Sequence, residues 1–262
     1  MNTRLLRGPW LWGGLLILLG GYLLARNLEL LPDLGDAGWG LFAAAAAVVF
    51  FALWLSNRQQ WWWLIPALTL AGRAAITGLQ TLGVPSNVTG SIFLWSIALA
   101  FALVWLVRRD QWWALIPAGV MAVVGAIPLL GEAASGEVIG AFFLLGIGLM
   151  FLIVYLSRRE HWWALIPAGV LVTLSVLPVT ANSLSEAALG AIFFGGLCLT
   201  FLILWLLRGR HGTGWAIYPA ATLLVVAIVV GLFGPLGRWW PVFFLIGPGL
   251  WLLYRALRPR SA

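Results

Sequence analysis

The stretch "RRDQWWALIPAGV" (108–120) recurs as "RREHWWALIPAGV" (158–170), and the two differ only at 110/160 and 111/161, both polar. A related segment, "NRQQWWWLIPALT" (57–69), precedes the pair, and "RHGTGWAIYPAAT" (210–222) follows it. Pro66, Pro117, Pro167 and Pro219 mark a register of about fifty residues. The second segment of each unit repeats as well: "IFLWSIALAFALVWLVRR" (92–109), "FFLLGIGLMFLIVYLSRR" (142–159) and "IFFGGLCLTFLILWLLR" (192–208). "FFLIGPGLWLLYRALRPR" (243–260) matches the second of these closely, and "LFAAAAAVVFFALWLSNR" (41–58) is a fainter version. A fixed period of this size marks an array of like units. The unit predicted here is a helical hairpin used five times, over 1–57, 58–107, 108–157, 158–207 and 208–262, with 1–57 the most divergent.

Composition says what surrounds the array. Of 262 residues, 63% are hydrophobic and 9% charged, whereas a soluble domain carries about 25% charged residues. A core of this length cannot hide that much apolar surface from water, so the solvent must be lipid. Apolar runs long enough to cross about 30 Å of hydrocarbon are expected over 9–26, 38–56, 61–83, 90–107, 112–131, 137–156, 162–181, 187–207, 215–234 and 239–257. The connectors are short, which predicts one membrane domain. The basic, apolar N-terminus ends in "YLLARN" (22–27), a poor signal-peptidase site, and reads as an uncleaved first span.

Charge alternates with the spans. Arg4, Arg7, Arg58, Arg108, Arg109, Arg158, Arg159, Arg208, Arg210, Arg255, Arg258 and Arg260 fall on one side, with only Asp110 and Glu160 as acids. The other side holds Arg26 and Arg238 against Glu29, Asp33, Asp36, Glu132, Glu137 and Glu186. Basic loops are retained in the cytoplasm, so ten spans with both termini inside are expected, in a bacterial cytoplasmic membrane.

The opening motif then has a physical reading as an anchor. Arg108, Arg109, Arg158 and Arg159 face anionic headgroups, each worth about 1 kcal/mol near the surface. Trp112, Trp113, Trp162 and Trp163 follow, where an amphipathic indole prefers the water–lipid boundary. Pro117 and Pro167 lack an N–H, so each either starts the regular helix or kinks it below the interface. A two-span unit enters the membrane from the same side each time. The repeats are therefore parallel, unlike the inverted repeats of many alternating-access carriers.

The inventory for catalysis is thin. His161 and His211 lie in different turns, Cys198 stands alone in an apolar run, and no carboxylate cluster has metal-ligand spacing. No catalytic residue, metal or cofactor is expected, and no nucleic-acid partner. Arg73, in "ALTLAGRAAITGLQTLG" (67–83), is the polar exception. Counted from Trp61 it lies about 18 Å along its helix, near mid-bilayer, at an insertion cost of about 2.5–3.5 kcal/mol. Thr69, Thr77 and Gln80 share its helix face. Two readings stand side by side: a snorkelling arginine, or an interior site for an anionic headgroup, a partner's carboxylate or a small anion. The other units place Val124, Leu174 and Val226 at this position. Small residues in 41–58, 142–159 and 192–208 predict close helix packing inside hairpins.

"LWGGLLILLGGYLLARNLELLP" (11–32) and "WWPVFFLIGPGLWLLYRALR" (239–258) resemble the two helices of the LiaI/LiaF-like bacterial transmembrane-region family. LiaF-like proteins carry a soluble C-terminal domain that has no counterpart in this sequence. The resemblance implies a setting in envelope-stress sensing and no catalytic residues. The expected role is that of a scaffold, accessory or regulatory membrane component, held through lipid contacts and through a membrane-protein partner or a second copy of the chain. The alternative is a transporter or flippase for a small anionic or amphiphilic molecule, with Arg73 lining the path.

Overall fold

Four prolines set where the regular helices begin. In the computed structural model, which describes residues 9–28, 35–131, 134–233, 246 and 248–251, Pro66, Pro117, Pro167 and Pro219 each stand third in an α-helix. Each of those helices is preceded by one 3-10 turn: Trp61–Trp63, Trp112–Ala114, Trp162–Ala164 and Gly214–Ala216. The prolines therefore start helices and do not kink them. A proline in the first turn has no N–H to donate, and the backbone ahead of it winds more tightly, with the amide of Leu64 donating back to the carbonyl of Trp61 and that of Leu115 to Trp112.

The helices are α1 (Pro9–Asn27), α2 (Gly35–Ser56), α3 (Leu64–Thr81), α4 (Ser86–Val107), α5 (Leu115–Ala126), α6 (Gly136–Ser157), α7 (Leu165–Thr180), α8 (Glu186–Leu206), the short α9 (Arg208–His211) and α10 (Ile217–Phe233). No strand occurs among the described residues. Where bounds are described they fall within a few residues of the predicted spans. The predicted tenth span, 239–257, lies outside the described residues except at 246 and 248–251, as do Arg4, Arg7, Arg238, Arg255, Arg258 and Arg260.

Among the described residues, seven stretches are long and apolar enough to cross a membrane: Gly35–Ser56, Ser86–Val107, Trp112–Leu129, Gly136–Ser157, Trp162–Thr180, Glu186–Leu206 and Gly214–Leu232. The α3 helix is not among them, because Arg73, Thr69, Thr77 and Gln80 lower its hydropathy. Consecutive helices pack on one another from α2 through α8 to α10, so order in the chain is order in space.

Packing is inverted relative to a soluble protein. The buried apolar set is dominated by alanine (Ala43, Ala47, Ala67, Ala100, Ala118, Ala168), while Leu41, Tyr218 and Leu232 are more than two-thirds exposed, at 73%, 75% and 71%. In water that arrangement would forfeit the burial of large side chains. In lipid it costs nothing, and small residues let helix backbones approach. Gly72 faces Ser96, Gly119 faces Met150 and Gly169 faces Thr200, each so closely that a Cβ has no room. Gly146 and Gly196 meet Val123 and Thr173 in the same way. Gly13, Gly14, Gly20, Gly21 and Gly195 meet nothing within 4 Å among the described residues, so only part of the glycine pattern serves internal packing.

Candidate functional sites: Arg73 and the tryptophan turns

The Arg73 side chain bonds within its own helix. Its Nη1 donates to Thr77 Oγ1 at 2.8 Å, one turn toward the C-terminal end of α3. Thr77 is buried at 6% exposure and packs on Gly40 of α2, where an added Cβ would fall 2.7 Å from the Thr77 Cβ. Of the four residues predicted to share a polar face, the structure thus joins Arg73 and Thr77. Thr69 is half-buried and Gln80 exposed, and neither enters that bond. Among the described residues Arg73 has no acidic partner. Its guanidinium reaches away from the centre of the helix, the direction a snorkelling side chain takes to shorten its path to water.

The tryptophan turns form the more extensive assembly. The amide of Arg108 donates to Val104 O (2.9 Å), Gln111 to Arg108 O (2.9 Å) and Ala114 to Gln111 O (3.1 Å). Fifty residues on, Arg158, His161 and Ala164 repeat the bonds to Val154, Arg158 and His161 at 3.2, 3.0 and 3.0 Å. Each turn then touches the next through its rings. Trp61 packs on Trp113, Trp112 on Trp163 and Trp162 on Trp215, with centroids 5.7, 5.6 and 6.3 Å apart and steeply inclined planes. Trp113, Trp163 and Trp215 also meet Phe101, Phe151 and Phe201 at 6.2, 6.3 and 6.2 Å. Below the rings, Val104, Val154, Leu204, Ala114, Ala164 and Ala216 have no exposed surface. Tilted and edge-to-face pairs of this kind contribute about 0.5–1.5 kcal/mol each beyond burial.

The arginines are organised by the same rings. Arg58, Arg109, Arg159 and Arg208 stand over Trp54, Trp105, Tyr155 and Trp205 at 5.2, 3.8, 4.8 and 3.9 Å. Such cation–π contacts are worth about 0.5–1 kcal/mol where exposed. Arg108 Nε lies 3.1 Å from Asp110 Oδ1, and the bond from Arg108, helped by one from Gln111, holds the Asp110 carboxyl below its ordinary value. Arg158 Nη2 donates to the carbonyl of Arg109 at 3.0 Å, tying two turns together. These aromatic shelves were not anticipated. Their signal was present as an aromatic residue four before an arginine at 54/58, 105/109 and 155/159, a spacing that stacks on one helix face.

His161 lies over Trp112 with ring centroids 4.4 Å apart, and His211 meets Tyr155 at 6.1 Å. Both Nε2 atoms are enclosed without a hydrogen-bond partner. No group of three His, Cys, Asp or Glu able to hold a metal occurs among the described residues. Two grooves, of about 410 and 220 Å³, lie on the flanks of α5 and α7, and their walls are almost wholly apolar. Neither includes Arg73. Comparison with protein-family models, with curated proteins and with solved structures finds no match to this chain.

Proposed function

We propose that this chain is a non-enzymatic protein of the bacterial cytoplasmic membrane that acts as a scaffold, accessory or regulatory component. In this reading ten transmembrane helices form five tandem hairpins, with both termini in the cytoplasm and the arginine-rich turns on anionic headgroups. The observation that carries it is the ring ladder from Trp61 to Trp215, in which each turn packs edge to edge on the next, contacts that opening and closing of the row would have to break. A carrier needs alternating access around a central site. Arg73 donates to Thr77 of its own helix and lines neither groove, and the grooves are apolar, which favours a filled row over a polar path. The resemblance of 11–32 and 239–258 to the LiaI/LiaF-like region suggests an envelope-stress setting.

Gentle solubilisation from the native membrane followed by mass spectrometry of the intact particle tests the role. A stoichiometric membrane-protein partner, or a defined homo-oligomer, is expected. A lone chain that exchanges a small anion across reconstituted vesicles, and loses that exchange in Arg73→Leu, would replace this reading with transport. Cysteine-accessibility mapping of the exposed residues 59, 110 and 160 against 84 and 184 tests the sidedness, with the first group expected to react from the cytoplasm.

A further inference from the structure

An apolar groove and two guanidinium groups without acidic partners meet at the C-terminal end of α4. The groove, of about 410 Å³, runs between α4 and α5 and is backed by Met150 of α6. Trp95, Leu99, Ala102 and Trp105 line it along one face of α4, and Ala118 and Ala122 along α5. From Trp95 to Trp105 is a rise of roughly 15 Å, half of a hydrocarbon core of about 30 Å. The groove is thus one leaflet deep.

Both ends are defined. At the inner end Trp95 Nε1 donates to the carbonyl of Ala122 at 3.1 Å, so the indole crosses from α4 to α5 and forms a floor. The equivalent positions of the next two units are Leu145 and Gly195, which cannot make that bridge. At the outer end Arg109 stands 3.8 Å over the Trp105 ring. Arg158 is brought beside it by its bond to the Arg109 carbonyl. The nearest acid in the turn, Asp110, is engaged by Arg108, and among the described residues neither Arg109 nor Arg158 has an acidic partner.

We propose that this groove binds one anionic phospholipid. An acyl chain lies along α4 and α5 down to Trp95, and the headgroup phosphate is held by Arg109 and Arg158. The apolar walls exclude a polar solute, and the depth of one leaflet with positive charge only at its outer end matches a lipid. The site rests on the membrane placement proposed above and does not depend on the scaffold role. Partner proteins in the intact particle read that role and retained lipid reads this site, so the two fail separately.

The test uses the full-length chain in mild detergent, incubated with dioleoyl phosphatidylglycerol or dioleoyl phosphatidylcholine and examined by native mass spectrometry. One phosphatidylglycerol should survive activation that strips phosphatidylcholine. Arg109→Gln should weaken phosphatidylglycerol retention about tenfold, the loss expected for one charge-assisted hydrogen bond, and should narrow its advantage over phosphatidylcholine, whose phosphate charge is offset by its own trimethylammonium group. Ala102→Phe should remove the retained lipid by filling the groove. If Ala102→Phe does not fold, Leu99→Trp reads the same loss from a more exposed position. Equal retention of both lipids by the unaltered protein would overturn the proposal, as would retention unchanged by Arg109→Gln and the groove-filling variant.

Discussion

The two ends of the same helices are built by different rules. On the turn side, the units at 108–120 and 158–170 repeat the same backbone bonds and the same Trp–Trp and Trp–Phe contacts. On the far side they diverge. The α3 helix closes with a left-handed Gly83 (φ 76°), whose neighbours return amides to the last turn, Gly83 to Gln80 O at 3.0 Å and Val84 to Leu79 O at 3.1 Å. The α5 helix instead tightens into a 3-10 turn at Ile127–Leu129, which contains Pro128, whereas α7 runs through Pro178 to Thr180. The contrast shows where the fold is over-determined. A turn fixed by indoles, cation–π contacts and a neighbouring turn tolerates few geometries, while a helix end that only has to satisfy its own carbonyls has several.

Breaking the ladder should have the largest effect. Trp112→Ala removes the contacts with Trp163 and His161 and should cost about 3 kcal/mol, the low end for truncating a packed aromatic. Unfolding of the purified protein by SDS titration measures it. Should the loss be no greater than for Trp62→Ala, whose ring is 45% exposed, the ladder would not be a source of rigidity.

Next come the small-residue contacts. Gly169→Val drives a side chain into Thr200 and should destabilise by about 1–3 kcal/mol through overpacking. Gly195→Val, at a position with nothing within 4 Å among the described residues, should stay within about 0.5 kcal/mol of the parent. Thermal stability in detergent distinguishes the pair, and similar values would mean the glycines are not what sets helix approach.

A far-end substitution should be milder. Gly83→Ala forces a Cβ into a left-handed conformation and should cost about 1 kcal/mol, read from the thermal midpoint. It should leave the environment of the turn tryptophans unchanged, as monitored by near-ultraviolet circular dichroism.

Smallest of all is the response of Asp110 to pH. Its carboxyl is held below the ordinary 3.8 by Arg108 and then Gln111. A depressed carboxyl contributes stability above its unfolded value and loses it as pH falls through the folded one. The contribution is therefore fully present at pH 7 and changes with pH only around and below 3.8; because the pair is exposed to solvent, Asp110→Asn should lower stability at pH 7 only slightly. A clear loss at pH 7 would promote the Arg108–Asp110 pair from a solvated contact to part of the ladder.

Much of the helical frame was legible in the letters. The predicted 112–131 and 162–181 became Trp112–Leu129 and Trp162–Thr180, since a long apolar run between polar turns leaves few other choices. Arg73 and Thr77 share a face by simple spacing, and they bond. Thr69 and Gln80 share that face too but stay out of the bond, because Gln80 lies two turns away and a guanidinium turned toward Thr77 is turned away from Thr69. Which indole meets which was not legible. Trp112 and Trp113 are neighbours in sequence, yet one packs on the unit after it and the other on the unit before it.

Composition, period and charge alternation by themselves determine that this is a repetitive helical protein suited to lipid, because burying so much apolar surface in water is impossible at this length. Tertiary structure alone decides that the turns interlock through their rings and that one groove acquires a floor from Trp95. The physical reason is range. Hydropathy and helical spacing act within a single segment, whereas ring contacts and the Trp95–Ala122 bond join residues of different helices whose relative placement only the packed row supplies.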